Sequence, residues 1–139
     1  MARIEFLSQL PSFKVSNPRK TAAWLKNICF HEGRQVGSLS YVFCSDRYLQ
    51  SMNQDFLDHS SFTDILSFDL SEDNNISGEI YISVDRVRAN AKKYAQPFDT
   101  ELRRVMAHGI LHFVGYKDKT SAEKAQMRSK EEACLSLWK

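Results

Sequence analysis

His108-Gly109-Ile110-Leu111-His112-Phe113-Val114-Gly115-Tyr116-Lys117-Asp118 holds two of the chain's four histidines, spaced four residues apart. Residues four apart share one face of a helix, with Cβ atoms about 5–6 Å from each other, so the two imidazoles can hold one ion between them. Between Leu102 and Val114 the apolar residues Val105, Met106, Ile110, Leu111, Phe113 and Val114 predict a largely buried helix. Buried imidazoles need polar partners, and a metal ion supplies one for both. Gly115 follows the last apolar residue, where a glycine takes the left-handed conformation and reverses the chain. The reversal carries Asp118 back towards the histidines. Three protein ligands with an open fourth position mark a catalytic zinc site, whereas a structural site is filled with four. The alternative for Asp118 is a loop cap, with water completing the site.

Gly109 stands where the common zinc peptidases, with His-Glu-x-x-His, place a general base, so a peptidase is the weakest reading. A glycine inside a helix costs about 1 kcal/mol relative to alanine, which predicts that substrate or backbone approaches closely there.

With 139 residues, 42% of them hydrophobic, the chain is expected to form one domain spanning 1–139 with a proper core. Cys29, Cys44 and Cys134 are odd in number and lack a C-x-x-C pair, which predicts a reducing compartment and packing roles. The sequence carries no apolar run of membrane-spanning length and no leader pattern, so a soluble, cytoplasmic protein is expected. Net charge is only +2, and its distribution is more telling. Residues 45–83 carry one basic and eight acidic side chains, whereas 84–119, which include the histidines, carry eight basic and four acidic.

Residues 3–7 are expected to form a short strand and Phe13-Lys14-Val15 another. Asn17 and Pro18 predict an N-cap and first helical position, opening a helix that ends near Gly33 with His31 in its last turn. Ser38–Cys44 reads as a strand, and Ser45 as the cap of a helix over Asp46–Phe56 with its apolar stripe at Tyr48, Leu49, Met52 and Phe56. Thr63–Phe68 and Gly78–Ser83 read as paired strands, with Asn74-Asn75 as a turn between them. Ser83 is expected to cap a helix over Val84–Ala95, which Pro97 breaks. Asp99 or Thr100 then starts the histidine helix, and Thr120-Ser121-Ala122-Glu123 is a capping box for a last helix to about Leu137. Strands interrupted by helices without regular alternation predict an α+β fold: one mixed sheet of about four strands and a central metal-bearing helix, zincin-like in kind.

His-Gly-x-Leu-His-x-x-Gly-Tyr at 108–116, followed by a third ligand, resembles the signature of the YbeY family, metal-dependent endoribonucleases of ribosomal-RNA maturation. Thr63-Asp64-Ile65-Leu66-Ser67-Phe68 resembles the family's Pro-Thr-Asp-Val-Leu-Ser-Phe, with Phe62 in place of the proline. Gly78-Glu79-Ile80-Tyr81-Ile82-Ser83 resembles its Gly-Asp-Ile-x-Ile-Ser. The likeness covers most of 41–137. Two positions depart from the pattern. The third ligand is usually histidine and here is Asp118. An arginine usually follows an aromatic residue shortly before the second motif, and here Leu57 follows Phe56, leaving His59 as the candidate stand-in for charge stabilisation.

The resemblance implies one divalent metal per chain on His108, His112 and Asp118. Zinc is the expected ion, although two histidines and a carboxylate also suit iron or manganese. It implies a hydrolase acting as a single-strand-specific endoribonuclease in 16S ribosomal-RNA maturation and ribosome quality control. The implied partners are ribosomal RNA and the small subunit, with no membrane or DNA role. Candidates for phosphate neutralisation are Arg86, Arg88, Lys92, Lys93, Arg103, Arg104, Lys117 and Lys119. The alternative is a non-catalytic, metal-stabilised RNA- or ribosome-binding module, which the missing arginine and the lack of an evident general base favour.

Overall fold

A computed structural model describes residues 2–57 and 64–139. In chain order the elements are β1 (Arg3–Ser8), α1 (Pro18–His31), β2 (Gln35–Cys44), α2 (Asp46–Leu57), β3 (Ile65–Asp69), β4 (Asn75–Ser83), α3 (Val84–Lys93), α4 (Phe98–Val114) and α5 (Ser121–Ser136). The four strands form one mixed sheet in the order β1-β2-β4-β3. β2 lies parallel to both β1 and β4, while β3 returns antiparallel to β4 with Ile65 opposite Ile82 and Phe68 opposite Glu79. Parallel neighbours need a crossover, and α1 supplies it between β1 and β2. This is the α+β architecture expected from the sequence.

Helix α4 packs on β4 and β3 and is flanked by α1, α3 and α5. Leu102, Val105, Met106, Ala107, Gly109, Ile110, Leu111 and Phe113 are buried along it. Fully burying one Leu, Ile, Phe or Met side chain contributes roughly 1.5–3 kcal/mol, so this face far outweighs the helical cost of Gly109. What approaches Gly109 is neither substrate nor backbone. A Cβ there would stand 2.8 Å from Ile80 Cδ1 and 3.2 Å from Ile65 Cδ1, side chains of the sheet. A smaller cluster of Cys44, Leu49 and Leu66, with Met52, Phe68 and Tyr81 against it, lies apart from this main core.

Four local expectations change. Phe13-Lys14-Val15 is not a strand; Phe13 is buried, with its ring 5.0 Å from that of Phe43 and 6.1 Å from that of Phe98, so its apolarity serves packing. Asn17 holds the N-cap position before Pro18 as expected, but in a left-handed conformation (φ 52) without a side-chain cap, and its carbonyl instead accepts from Thr21 N and Oγ1 at 2.9 Å each. Asn75 already belongs to β4, and the preceding turn places Asp73 at φ 52. Helix α3 stops at Lys93, before Ala95, and α4 starts directly after Pro97, because Pro97 keeps Gln96 out of the helical region. Ser45, Ser83 and Thr120 cap α2, α3 and α5 as expected, accepting from Tyr48, Arg86 and Glu123 amides at 3.1 Å each. All three cysteines are buried, and burial pushes the thiols of Cys29 and Cys44 up to about 12. No helix among the described residues is long and apolar enough to cross a membrane.

Gly78 in β4 has φ 154, and a Cβ there would collide with the Phe68 carbonyl and stand 2.8 Å from the Phe113 ring of α4. Gly78→Ala is therefore expected to destabilise the fold by about 2 kcal/mol or more, read as a lower denaturation midpoint at unchanged slope. An unaltered midpoint would show that β4 and α4 can part at little cost.

Candidate metal centre

His108 and His112 lie one turn apart near the end of α4, with ring centroids 4.5 Å apart and ring planes at 80°. They occupy the stripe of α4 that the core leaves half-exposed. Gly115 (φ 124) then turns the chain: its amide reaches the His112 carbonyl at 3.1 Å, and the Tyr116 amide reaches that of Leu111 at 3.0 Å. This pair of bonds is a Schellman ending. Past it, Tyr116 Oη donates to Glu32 at 2.8 Å, and Lys130 Nζ binds the other oxygen of Glu32 at 3.0 Å. Downstream, Glu123 accepts from the amides of Thr120 and Lys119 at 2.9 and 3.1 Å. Asp118 is thus held between two fixed points.

Its Oδ2 stands 3.3 Å from His108 Nε2 and 3.4 Å from His112 Nε2, and one donor atom from each residue lies within 4.8 Å of the others. The turn's caps are made by Thr120 and Glu123, and no backbone amide among the described residues donates to Asp118. Around a tetrahedral ion with ligands at about 2.0–2.1 Å, neighbouring donors stand about 3.3–3.4 Å apart, whereas an octahedron of the same radius brings them to about 3.0 Å. Two imidazoles and a carboxylate at this spacing could hold a divalent metal ion.

A buried glutamate sets the proton on His108. Glu131 Oε2 lies 2.7 Å from Nδ1, so Nδ1–H donates to it, and Nε2 is the ring nitrogen on the Asp118 side. Glu131 Oε1 accepts from Arg104 Nη1 at 3.2 Å, and Arg104 also holds Glu132 at 2.6 Å and approaches Glu101 at 3.7 Å. Burial is the strongest single influence on His108 and opposes its charge. The hydrogen bond to Glu131 and the fields of Glu131, Asp64 and Asp118 together outweigh it, so its pKa lies above the ordinary value. Asp64, just before β3, is half-buried, and burial pushes its carboxyl up despite the opposing pull of His108.

A cavity of about 630 Å³ opens beside these groups, and Asp64, Tyr94, His108, Asp118, Lys124 and Arg128 are on its wall. Of the basic residues singled out from sequence, Arg104 lines it but is engaged by glutamates. Arg86 pairs with Asp46 at 2.7 Å. The guanidinium of Arg88 lies 4.7 Å over Phe98, that of Arg103 4.4 Å over Trp138, and the Lys93 ammonium 5.4 Å over Tyr94. Lys92, Lys117 and Lys119 are exposed. His59 lies outside the described residues. The sequence reading missed Glu131, Lys124 and Arg128. Glu131 was detectable as a carboxylate between Met127 and Cys134 on the buried face of the last helix.

Partners that orient a metal-binding imidazole typically contribute 10–100-fold in affinity. Glu131→Ala is expected to weaken zinc binding by about that factor in competition with a chromophoric chelator, and equal affinity would remove the positioning role. The raised His108 pKa adds stability to the metal-free protein that is complete below about pH 6.5 and lost as pH rises through the folded value. In Glu131→Ala that fall in melting temperature should shrink.

The family model described as Endoribonuclease YbeY matches residues 10–139. A Cytophaga hutchinsonii protein named Endoribonuclease YbeY is 47% identical over 137 residues, covering 98% of this chain and 96% of that protein. Its Flavobacterium psychrophilum namesake is 44% identical over 126 residues, covering 91% and 90%. The solution structure of TM1509 from Thermotoga maritima superposes with a TM-score of 0.65 at 26% identity, covering 99% of this chain and 88% of that one. The chain belongs to the YbeY endoribonuclease family.

Proposed function

We propose that this chain is a zinc-dependent, single-strand-specific endoribonuclease of ribosomal-RNA maturation. Its zinc ligands in this reading are His108, His112 and Asp118. The observation that carries it is the approach of Asp118 Oδ2 to both Nε2 atoms at 3.3 and 3.4 Å, in a chain of this family. By the same reading its partner is the small ribosomal subunit, its task includes 16S processing and ribosome quality control, and its place is the cytoplasm.

A divalent ion held there acidifies water and polarises a phosphoryl oxygen. The chain's own groups supply the rest. Glu131 keeps the proton on His108 Nδ1, which leaves Nε2 free as a donor. We assign Asp64 to take the proton of the attacking water, because it is the cavity carboxylate that belongs neither to the Arg104 cluster nor to the three ligands. Raised by burial, it is a better base than an exposed aspartate.

Leu57 at the usual arginine position favours a second reading, a metal-stabilised RNA-binding module without cleavage. One experiment separates the two. Metal-loaded protein incubated with single-stranded ribosomal RNA should cleave it, chelator should abolish cleavage, and His108→Ala and His112→Ala should each lose both stoichiometric metal and cleavage. Asp118→His should keep metal and move the pH optimum down, since a neutral ligand leaves more positive charge to acidify water. RNA binding without cleavage in the metal-loaded wild type would select the binding module.

A further inference from the structure

The cavity beside the metal centre presents an obstacle to an anionic substrate, because Asp64, Glu101, Asp118, Glu131 and Glu132 all line it. Three of them share one cation: Arg104 lies within 3.7 Å of Glu101, Glu131 and Glu132 and is itself mostly buried. A cation on the ligand set offsets Asp118. Asp64 keeps its carboxylate beside the ligand set, and the cations left at the rim are Lys124 and Arg128. Lys124 and Arg128 stand one turn apart on α5, so their side chains share a face. Both line the cavity and both are exposed; neither stands within ion-pair distance of a carboxylate among the described residues, and the charge of Arg128 acts on Glu101.

Tyr94 contributes to the same cavity from the turn between α3 and α4. The residue is 51% exposed, and the Lys93 ammonium lies 5.4 Å from the ring centroid. The turn is fixed rather than loose. Ala95 sits at φ 53, and the Gln96 amide bonds the Ala91 carbonyl at 2.9 Å. An exposed aromatic residue with a cation beside it, and two further exposed cations on the wall of the same cavity of about 630 Å³, is the kind of arrangement that seats a single strand: bases stack and phosphates are neutralised.

We infer that this cavity binds the RNA strand flanking the scissile phosphate, with Lys124 and Arg128 on its phosphates and Tyr94 stacked on a base. The inference rests on the endoribonuclease reading, and the test separates the two. Zinc-loaded full-length protein is titrated with a labelled, uncleavable 2′-O-methyl single-stranded oligonucleotide at several salt concentrations. Wild type should bind. Lys124→Gln with Arg128→Gln should bind about tenfold more weakly and reduce the magnitude of the logarithmic salt slope by about 1.4, the value for two phosphates on a single strand. Tyr94→Ala should lose about tenfold and Tyr94→Phe should retain affinity, as stacking requires. Zinc stoichiometry, measured alongside, should be unchanged in every variant, which certifies the fold. Wild-type affinity and slope in the double variant and in Tyr94→Ala would overturn this site alone. A zinc-loaded wild type that binds no oligonucleotide would overturn the RNA reading with it.

Discussion

Helix α4 can lie on the sheet only because side chains are missing at two of its contact points. At Gly109 the helix presents bare backbone to Ile80 and Ile65, and at Gly78 the strand presents bare backbone to Phe113. The two absences act from opposite sides of one interface. Protein interiors are close-packed, so a methyl group at either point has to displace a neighbour. The depth at which α4 sits determines where its half-exposed stripe emerges, and that stripe is His108 and His112. The placement of this candidate metal centre thus depends on a packing constraint in the sheet.

Around the centre the electrostatics are arranged in layers. His108 and Asp118 face the cavity, Glu131 stands behind His108, and Arg104 ties Glu131 to Glu132 and Glu101. Burying this many charges gives little net stability, since each loses hydration that its partners only replace. Breaking the set is another matter, because a lone buried charge is left behind. The network is better understood as fixing geometry: it holds an imidazole in one tautomer and orientation, within a wall that would otherwise be disordered by its own carboxylates.

Much of this was legible in the sequence because it is local. Helical spacing placed His108 and His112 together, Gly115 announced the reversal, and Thr120 with Glu123 announced the next helix. The paired strands followed from the apolar run ending at Phe68 and from alternation at 78–83. What escaped is long-range. Glu131 meets His108 across 23 positions, and Tyr116 meets Glu32 across 84, contacts that no periodicity encodes. Phe13 misled because apolarity next to Lys14 and Val15 looks like a strand, while its ring is a plug between Phe43 and Phe98. Lys124 and Arg128 were passed over because the last helix is nearly neutral in sum, and only the tertiary structure separates its paired cations from its unpaired ones.

The central claim is that His108, His112 and Asp118 hold one zinc ion, and X-ray absorption at the zinc edge of the loaded protein tests it most directly. The account predicts a four-coordinate ion with two imidazole nitrogens and two oxygens, all at about 2.0–2.2 Å, one oxygen from Asp118 and lost from the protein set in Asp118→Ala. A spectrum without imidazole scattering, or one identical in wild type and Asp118→Ala, would contradict it.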